Sequence, residues 1–435
     1  MVAVSSWGRL SNEAHQVQVL ADRSAAVAQV RGNSPGICYG NGRSYGDVCL
    51  NPGGHLWQTR SLNRFISFDE QTGRLRCESG VLLRDIQRTF MPRGWMLPVT
   101  PGTQLITVGG AIANDIHGKN HHKSGSFGDH VHALRLLRTD GTVLDCHSAG
   151  DGADMLRASI GGMGLTGVIL DAELQLRTVN NPWLTTDTLP YHSLDEFFDL
   201  AEQSEHDWEH TVSWIDCLSG SQARGIFLRA NHADAPPAGA KEPGRKQLNM
   251  PFTPALSLVN GLSLRPFNEL YYRLQARKAG AGFAHFEPFS YPLDALHNWN
   301  RMYGPRGFYQ FQCVVPTADA KPAIAALLDS IRKAGAGSFL AVLKTFGDRP
   351  APGLLSFAMP GATLALDFPN KGAKTLALLD TLDSIVRECG GRLYAAKDAR
   401  MPAALFAAGY PDLPDFIDFR DPGISSAMSR RLLGS

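Results

Sequence analysis

The residues best suited to chemistry crowd into "GGAIANDIHGKNHHKSGSFGDH", Gly109 to His130. Glycines, serines, a lysine and several histidines share a segment with no helical or strand period. Three readings compete: a polar loop, a histidine metal site, or a cradle for a phosphorylated cofactor. A metal centre needs three or four ligands in a set geometry. The adjacent His121 and His122, on a glycine-rich loop with only Asp115 and Asp129 as nearby carboxylates, suit that poorly, so no metal is expected. Lys119, Ser124 and Ser126 suit an anion better. Two more glycine-rich stretches flank this one, "YGNGRSYGD" (Tyr39–Asp47) and "IGGMGLTG" (Ile160–Gly167). Glycine lets the backbone approach a ligand closely, so successive N–H groups can converge on phosphate oxygens. Three such loops separated by strand-like runs favour the cofactor cradle. "GMGLTG" formally fits GxGxxG, but a helical run precedes it and an alternating run follows, the reverse of a dinucleotide-binding unit. No GxxxxGK[ST] stretch is present, so a P-loop is not expected.

The elements that must position these loops are short. "GICYG", "GHLWQ", "FISFD", "LRCESG", "HALRLLRT" and "GTVLDCH" read as strands, with a hairpin at the Asp-Gly of "TDGT". "LLRDIQRTFMPRGW" and "GADMLRASIGG" read as helices, and "GVILDAELQLRTV" alternates like a strand. A second regime begins near Asn180. Ser193 and Glu196 are spaced for a capping box, and "HTVSWIDCL" and "ARGIFLRANH" read as paired strands. Ala233–Ala255, rich in proline, glycine and charge, is expected as a mobile lid. "GFYQFQCVVPT" places Gln310 and Gln312 on one strand face and Tyr309, Phe311 and Cys313 on the other. Two helices and two strands follow in the order β–α–β–β–α, which predicts a sheet with helices on one face.

The chain has 435 residues, 43% of them hydrophobic, enough for two to three domains. Its net charge of +1 gives no footprint for nucleic acid. Seven scattered cysteines with no CxxC read as reduced thiols, and the N-terminal stretch lacks a signal peptide's pattern. A cytoplasmic protein, soluble or peripheral at a membrane, is expected.

"YGNGRSYGD", "PGTQLITVGGAIANDIHGKNHHKSGSFGDHV" and "GGMGLTGVI" resemble the FAD-binding domain of the vanillyl-alcohol oxidase superfamily, the PCMH-type fold. Within it the chain resembles the decaprenylphosphoryl-β-D-ribose 2′-oxidase family. The likeness continues through "WNRMYGPRGFYQFQCVVPT", "GSFLAVLKTFG", "LDFP" and "GGRLYAAKDAR", and is weakest between Asn180 and Leu296. It implies an α+β protein: a two-lobed FAD domain at residues 1–179, a substrate domain with an antiparallel sheet at 180–391, and a segment at 392–435 returning to the FAD domain. It further implies FAD contacts from Cys38, Tyr39, Gly40, Asn41, Gly42, Arg43, Ser44, Tyr45, Gly46, Asp47 and Val48. Gly102, Thr107, Val108, Gly109, Gly110, Asn114, Asp115, Ile116, His117, Ile169 and Tyr394 continue that site. Many relatives tether the flavin through a histidine of the first loop; here that loop carries Arg43, so dissociable FAD is expected.

The chemistry so implied is oxidation of the 2′-hydroxyl of a polyprenyl-phosphoryl pentose. The alternative is a different sugar or alditol oxidised on the same scaffold. Such a step needs a hydride acceptor, a route for the hydroxyl proton, and positive charge beside the flavin. The resemblance assigns Lys397 and His117 to catalysis and Gln310, Gln312, Lys344, Trp214, Thr363 and Ala365 to the substrate pocket. Thr363 replaces a family asparagine, Ala365 a cysteine that covalent inhibitors of mycobacterial members attack, and Ser290 a tyrosine, with Tyr291 next to it. The implied partner is a short-chain reductase completing epimerisation to arabinose. Quinone, oxygen and a protein all remain open as electron acceptor.

Overall fold

Three sheets carry the architecture. The structure, a computed structural model, describes residues 1–434 apart from 34, 242–243 and 245–247. The first sheet orders Val2–Val4, Glu13–Val19, His55–Gln58 and Gly36–Tyr39, the first pairing antiparallel and the other two parallel. The second orders Phe65–Asp69, Arg74–Glu78, Val168–Gln175, Val131–Leu137 and Val143–His147, all antiparallel. Val2–Val4 and Glu13–Val19 were not expected; the other strands fall on the runs read as strands, and the Asp-Gly hairpin joins the last two. The glycine-rich stretches all contribute to the wall of one cavity, through Gly40, Gly42, Gly109, Gly110, Gly164 and Gly167.

The third sheet has eight antiparallel strands in the order Gly280–His285, Trp183–Tyr191, Gly225–His232, His210–Ile215, Ala341–Phe346, Gly361–Pro369, Phe308–Pro316 and Arg392–Leu393. Helices Leu194–Glu205, Ala320–Lys333 and Ala373–Glu388 bury their apolar stripes against one of its faces, through Phe197, Leu327, Leu328, Leu379 and Leu382. Burying each such side chain contributes about 1.5–3 kcal/mol. The predicted α+β class, with helices gathered on one side of the large sheet, is what forms. The uncovered face is free to roof the cavity.

The C-terminal segment returns to the first sheet: Ile424 bridges Gly36, and Arg431 clasps Asp47 through Nε (3.0 Å) and Nη2 (2.8 Å). A Cβ built on Gly46 would lie 1.5 Å from the Asp398 carbonyl oxygen, so only glycine lets the two segments pack.

Several local expectations need correction. The capping box is displaced: Ser193 Oγ accepts the Glu196 N–H, but Glu196 accepts from His192 N–H, one residue outside the cap. Within the expected lid, 242–243 and 245–247 lie outside the described residues, while Leu248–Asn249 is tied in parallel to Leu296–His297. The segment Gly109–His130 was read as aperiodic, yet it holds the short helices Val108–Ala113 and His121–Ser124. Gly261–Ala276, given no element at sequence level, is a helix of 16 residues. No helix among the described residues is long and apolar enough to cross a membrane.

Candidate functional site

A cavity of about 550 Å³ lies between the two small sheets and the bare face of the large one, a size typical of cofactor and ligand sites. Strand alternation decides which side chains reach it. Register pairs Gln310 with Asp367, Gln312 with Ala365, Lys344 with Thr363 and Trp214 with Val342. Gln310, Gln312, Thr363, Ala365, Val342, Lys344 and Trp214 therefore stand on one face, and all line the cavity. Trp214 is held by its Nε1–H on the Phe339 carbonyl (3.1 Å) and packs on Tyr271 (4.7 Å between ring centroids).

At the sheet end His117 is held at both ring nitrogens. Lys344 Nζ lies 2.8 Å from Nδ1, and the Gln312 side-chain amide 2.9 Å from Nε2. Lys344 also donates to the Gly118 carbonyl at 2.6 Å. Burial first, then the Lys344, His121 and Lys397 charges, hold the imidazole well below its ordinary value, so it is neutral. A neutral imidazole has one donor and one acceptor nitrogen. The network closes with Nδ1–H donating to an uncharged Lys344 while Nε2 accepts from Gln312. It closes equally with a charged Lys344 donating to Nδ1, provided the Gln312 amide turns its oxygen to Nε2–H. Burial, with Lys119 and Lys397 nearby, brings Lys344 down to about 7, where both states are populated.

Two more lysines line the same end. Lys119 reaches the Phe289 carbonyl, sits 4.5 Å from that ring's centroid, and is lowered by burial to about 7. Lys397 lies 4.1 Å over the Tyr45 ring. Burial lowers it to about 8, opposed by the charge of Asp367. Asp367 is buried, accepts from Gln310 Nε2 (2.8 Å) and from the Tyr303 hydroxyl (3.3 Å), and is pushed up by burial to about 7. Three lysines around a neutral histidine make this end ready for negative charge.

The other end fits the phosphorylated dinucleotide that the resemblance implies. Gly40, Asn41, Gly42, Arg43 and Ser44 line it, and among the described residues no protein acceptor takes their backbone N–H groups. Gly42 has φ +60°, and a Cβ there would meet the Tyr39 hydroxyl at 2.1 Å. Arg43 Nε, Ser79 Oγ and Asn114 Oδ1 are buried on the cavity wall without partners. Buried polar atoms left unpaired are costly, so such a set marks where a polar ligand belongs. The second loop differs: the N–H groups of Val108 and Gly109 are taken by Val81 and Ser79 carbonyls, and that of Gly110 by Thr107 Oγ1. That loop offers close approach but no free donors from these three groups.

Of the predicted cofactor residues, Cys38, Gly40 to Tyr45, Val48, Gly102, Thr107, Gly109, Gly110, Asn114, Ile116, His117, Ile169 and Tyr394 reach the wall. Tyr39, Gly46, Asp47, Val108 and Asp115 stand one layer behind it. Tyr39 donates to the Ser5 carbonyl, Asp47 pairs with Arg431, and Val108 is core. Asp115 accepts from Ser126 Oγ (2.9 Å) and Gly128 N–H (2.8 Å), bracing the loop from inside, and burial raises it to about 6.

The histidines separate as well. His121 packs on Phe346 (4.6 Å), His122 Nε2 lies 2.8 Å from the Trp208 carbonyl oxygen and His130 Nε2 2.8 Å from that of Ser124; His117 alone of this group lines the cavity. Ser290 lines it but Tyr291 does not; the Tyr291 hydroxyl is 2.6 Å from Oγ1 of Thr100, itself a wall residue. Sequence reasoning missed Asp367, Trp7, Ser79, Asp294 and Tyr271. It singled out Lys119 for an anion without placing it in the site. Elsewhere, Glu209, His210 and His232 bring ligand atoms within 4.8 Å of one another, but Glu209 already takes Arg177 at 2.5 Å.

Comparison with known proteins agrees with this geometry. The family model described as an FAD binding domain matches residues 17–147. The decaprenylphosphoryl-beta-D-ribose oxidase of Mycolicibacterium smegmatis is 36% identical over a 449-residue alignment that spans 98% of this chain and 96% of that protein. An uncharacterized Streptomyces coelicolor protein from the mprA 5′ region is 34% identical, covering 81% of this chain and all of the relative. Mouse L-gulonolactone oxidase is 32% identical over 136 residues, 31% of this chain and 30% of that enzyme. The Mycolicibacterium match, over 98% of this chain, takes in both the glycine loops and the lysine-lined sheet face, and the chain belongs to the decaprenylphosphoryl-β-D-ribose oxidase family of FAD-dependent oxidoreductases.

Proposed function

We propose that the protein oxidises the 2′-hydroxyl of a polyprenyl-phosphoryl pentose to the 2′-keto sugar. The observation that carries this is the ring of Lys119, Lys344 and Lys397 around neutral His117, facing a cavity whose far end matches a dinucleotide. FAD, when bound, supplies the acceptor for the carbinol hydride and its electron pair. Gly40 to Ser44, Ser79 and Asn114 would hold it, and Arg43 in place of a histidine leaves it dissociable.

The chain's own residues handle the proton and the charge. The substrate hydroxyl proton passes to the His117–Lys344 pair, which stores it at Lys344 Nζ while His117 stays neutral. The ammonium of Lys397, supported by Asp367, would stabilise the negative charge that a bound FAD gains with the hydride. Gln310 and Gln312 orient the sugar, and Trp214 with Tyr271 forms an apolar wall for the prenyl chain. The keto product then requires a hydride-donating reductase of the short-chain class for net epimerisation to arabinose. Reoxidation takes a quinone, oxygen or a protein.

The reading is tested by comparing anaerobic flavin reduction by prenyl-phosphoryl ribose and by free alditols. Reduction by the phosphoryl sugar supports it. Reduction by alditols alone favours the second reading, an alditol oxidase, which the replaced pocket positions Thr363, Ala365 and Ser290 motivate.

A further inference from the structure

A helix packed on a globular protein turns its apolar side inward. Gly261–Ala276 does the reverse. Leu262, Leu270 and Leu274, spaced by fours and eights along it, are 90%, 59% and 45% exposed, while Leu264 and Asn268 face in. The exposure is regional. Among the described residues, nine of the sixteen exposed large hydrophobic side chains lie between 248 and 283, including Phe252, Leu256 and Phe283. So large a concentration within one stretch of chain marks an interaction surface.

Its charge is equally one-sided. Residues 248–283 contain Arg265, Arg273, Arg277 and Lys278 against a single acid, Glu269. That acid is already paired with Arg224 (2.7 Å) and Arg273 (2.5 Å). Arg265, Arg277 and Lys278 are exposed beside the leucines. The patch also runs into the cavity: Phe267 stacks on Tyr271 at 5.9 Å, and Tyr271 lines the cavity against Trp214.

We propose that the outer face of Gly261–Ala276, with the apolar segment preceding it, docks the protein on an anionic lipid bilayer and turns the cavity mouth toward it. Apolar side chains ringed by arginine and lysine match the boundary between acyl chains and anionic headgroups. A surface for a second protein of ordinary composition has no need of this excess of positive charge. The inference rests on the lipid-linked substrate proposed above, and it explains how a chain with no membrane-spanning helix among its described residues would meet it.

The test is co-sedimentation of the FAD-loaded protein with vesicles of phosphatidylcholine alone and of phosphatidylcholine with phosphatidylglycerol. Binding should require the anionic lipid and weaken with salt. Leu262→Gln/Leu270→Gln/Leu274→Gln should lose on the order of a hundredfold in partitioning. Arg265→Gln/Arg277→Gln/Lys278→Gln should lose a similar, roughly hundredfold factor on anionic vesicles only. Both variants should reduce flavin normally with a short-chain, water-soluble prenyl-phosphoryl pentose. Wild-type protein that ignores both vesicles, or variants that bind like wild type, overturn the docking surface. So does a wild-type dimer, seen by light scattering, that both variants convert to monomer without any vesicle binding. If the water-soluble substrate never reduces the flavin, the proposed reaction fails instead, whatever the vesicles show.

Discussion

Replacing Asp367 by asparagine keeps the size of the side chain and deletes the one charge that holds Lys397 up. Lys397 stands at about 8 because burial pulls it down and Asp367 pushes it back. An opposite charge close to a buried group is typically worth about 1–3 pKa units. Asp367→Asn should therefore bring Lys397 to about 6, taking the middle of that range. At about pH 7.5 the protonated fraction would fall from roughly three quarters to roughly 3%, a loss of about 25-fold. The ammonium is the active form, so wild-type flavin reduction declines as pH rises through the Lys397 value. In the variant the same decline should begin about two units lower, and because the His117–Lys344 pair must start unprotonated with Lys344 at about 7, the rate maximum should be lower as well as shifted toward acid. The assay is single-turnover anaerobic flavin reduction across pH, with flavin content measured on each sample. An alkaline limb that stays in place, with a rate lowered equally at every pH, would refute the electrostatic role and leave Asp367 as a packing group.

Other outcomes follow from the same contacts. Gly46→Ala forces a Cβ into the Asp398 carbonyl and should lower both the thermal midpoint and the flavin content of the purified protein. Lys344 and Lys119 titrate below the ordinary lysine value in the folded chain, so the unfolded chain binds more protons between about pH 7 and 10. Stability of the apoprotein should rise with pH across that window, and Lys344→Met should flatten the rise in a denaturant series. With Ala365 on the cavity wall, inhibitors that need a thiol there should leave the wild type without a mass adduct, and Ala365→Cys should gain one adduct per chain. Acid precipitation should release the flavin into the supernatant, because Arg43 stands where covalent relatives carry histidine; flavin retained in the pellet counts against this.

Much of the frame was legible because its signals are local. Short strand-like runs predict the strands of the two small sheets from Gly36 onward, though not Val2–Val4 or Glu13–Val19, and alternation puts Gln310 and Gln312 on one face. That face proved to be the cavity face. What was not legible depends on partners far along the chain. Asp367 looks like any strand residue until pairing sets it beside Gln310, 57 positions away. Trp7 enters the wall because its backbone N–H binds the Ser44 carbonyl at 2.8 Å. Asp115 sits in the most suggestive segment, yet spends its carboxylate bracing Ser126 and Gly128, and no spacing rule separates such a brace from a ligand contact. The helix Gly261–Ala276 escaped because three of its four leucines face outward and Leu264 alone makes no inward stripe to read.

The central claim is that this cavity removes hydride from C2′ of a phosphoryl-linked pentose. The most direct measurement mixes the FAD-loaded enzyme anaerobically with prenyl-phosphoryl ribose carrying protium or deuterium at C2′. The account predicts bleaching of the oxidised flavin, a slower bleach with deuterium, and a product lighter by two hydrogens with a carbonyl at C2′. Bleaching at equal rates with both isotopologues, or no bleaching while a free alditol reduces the flavin, would contradict it.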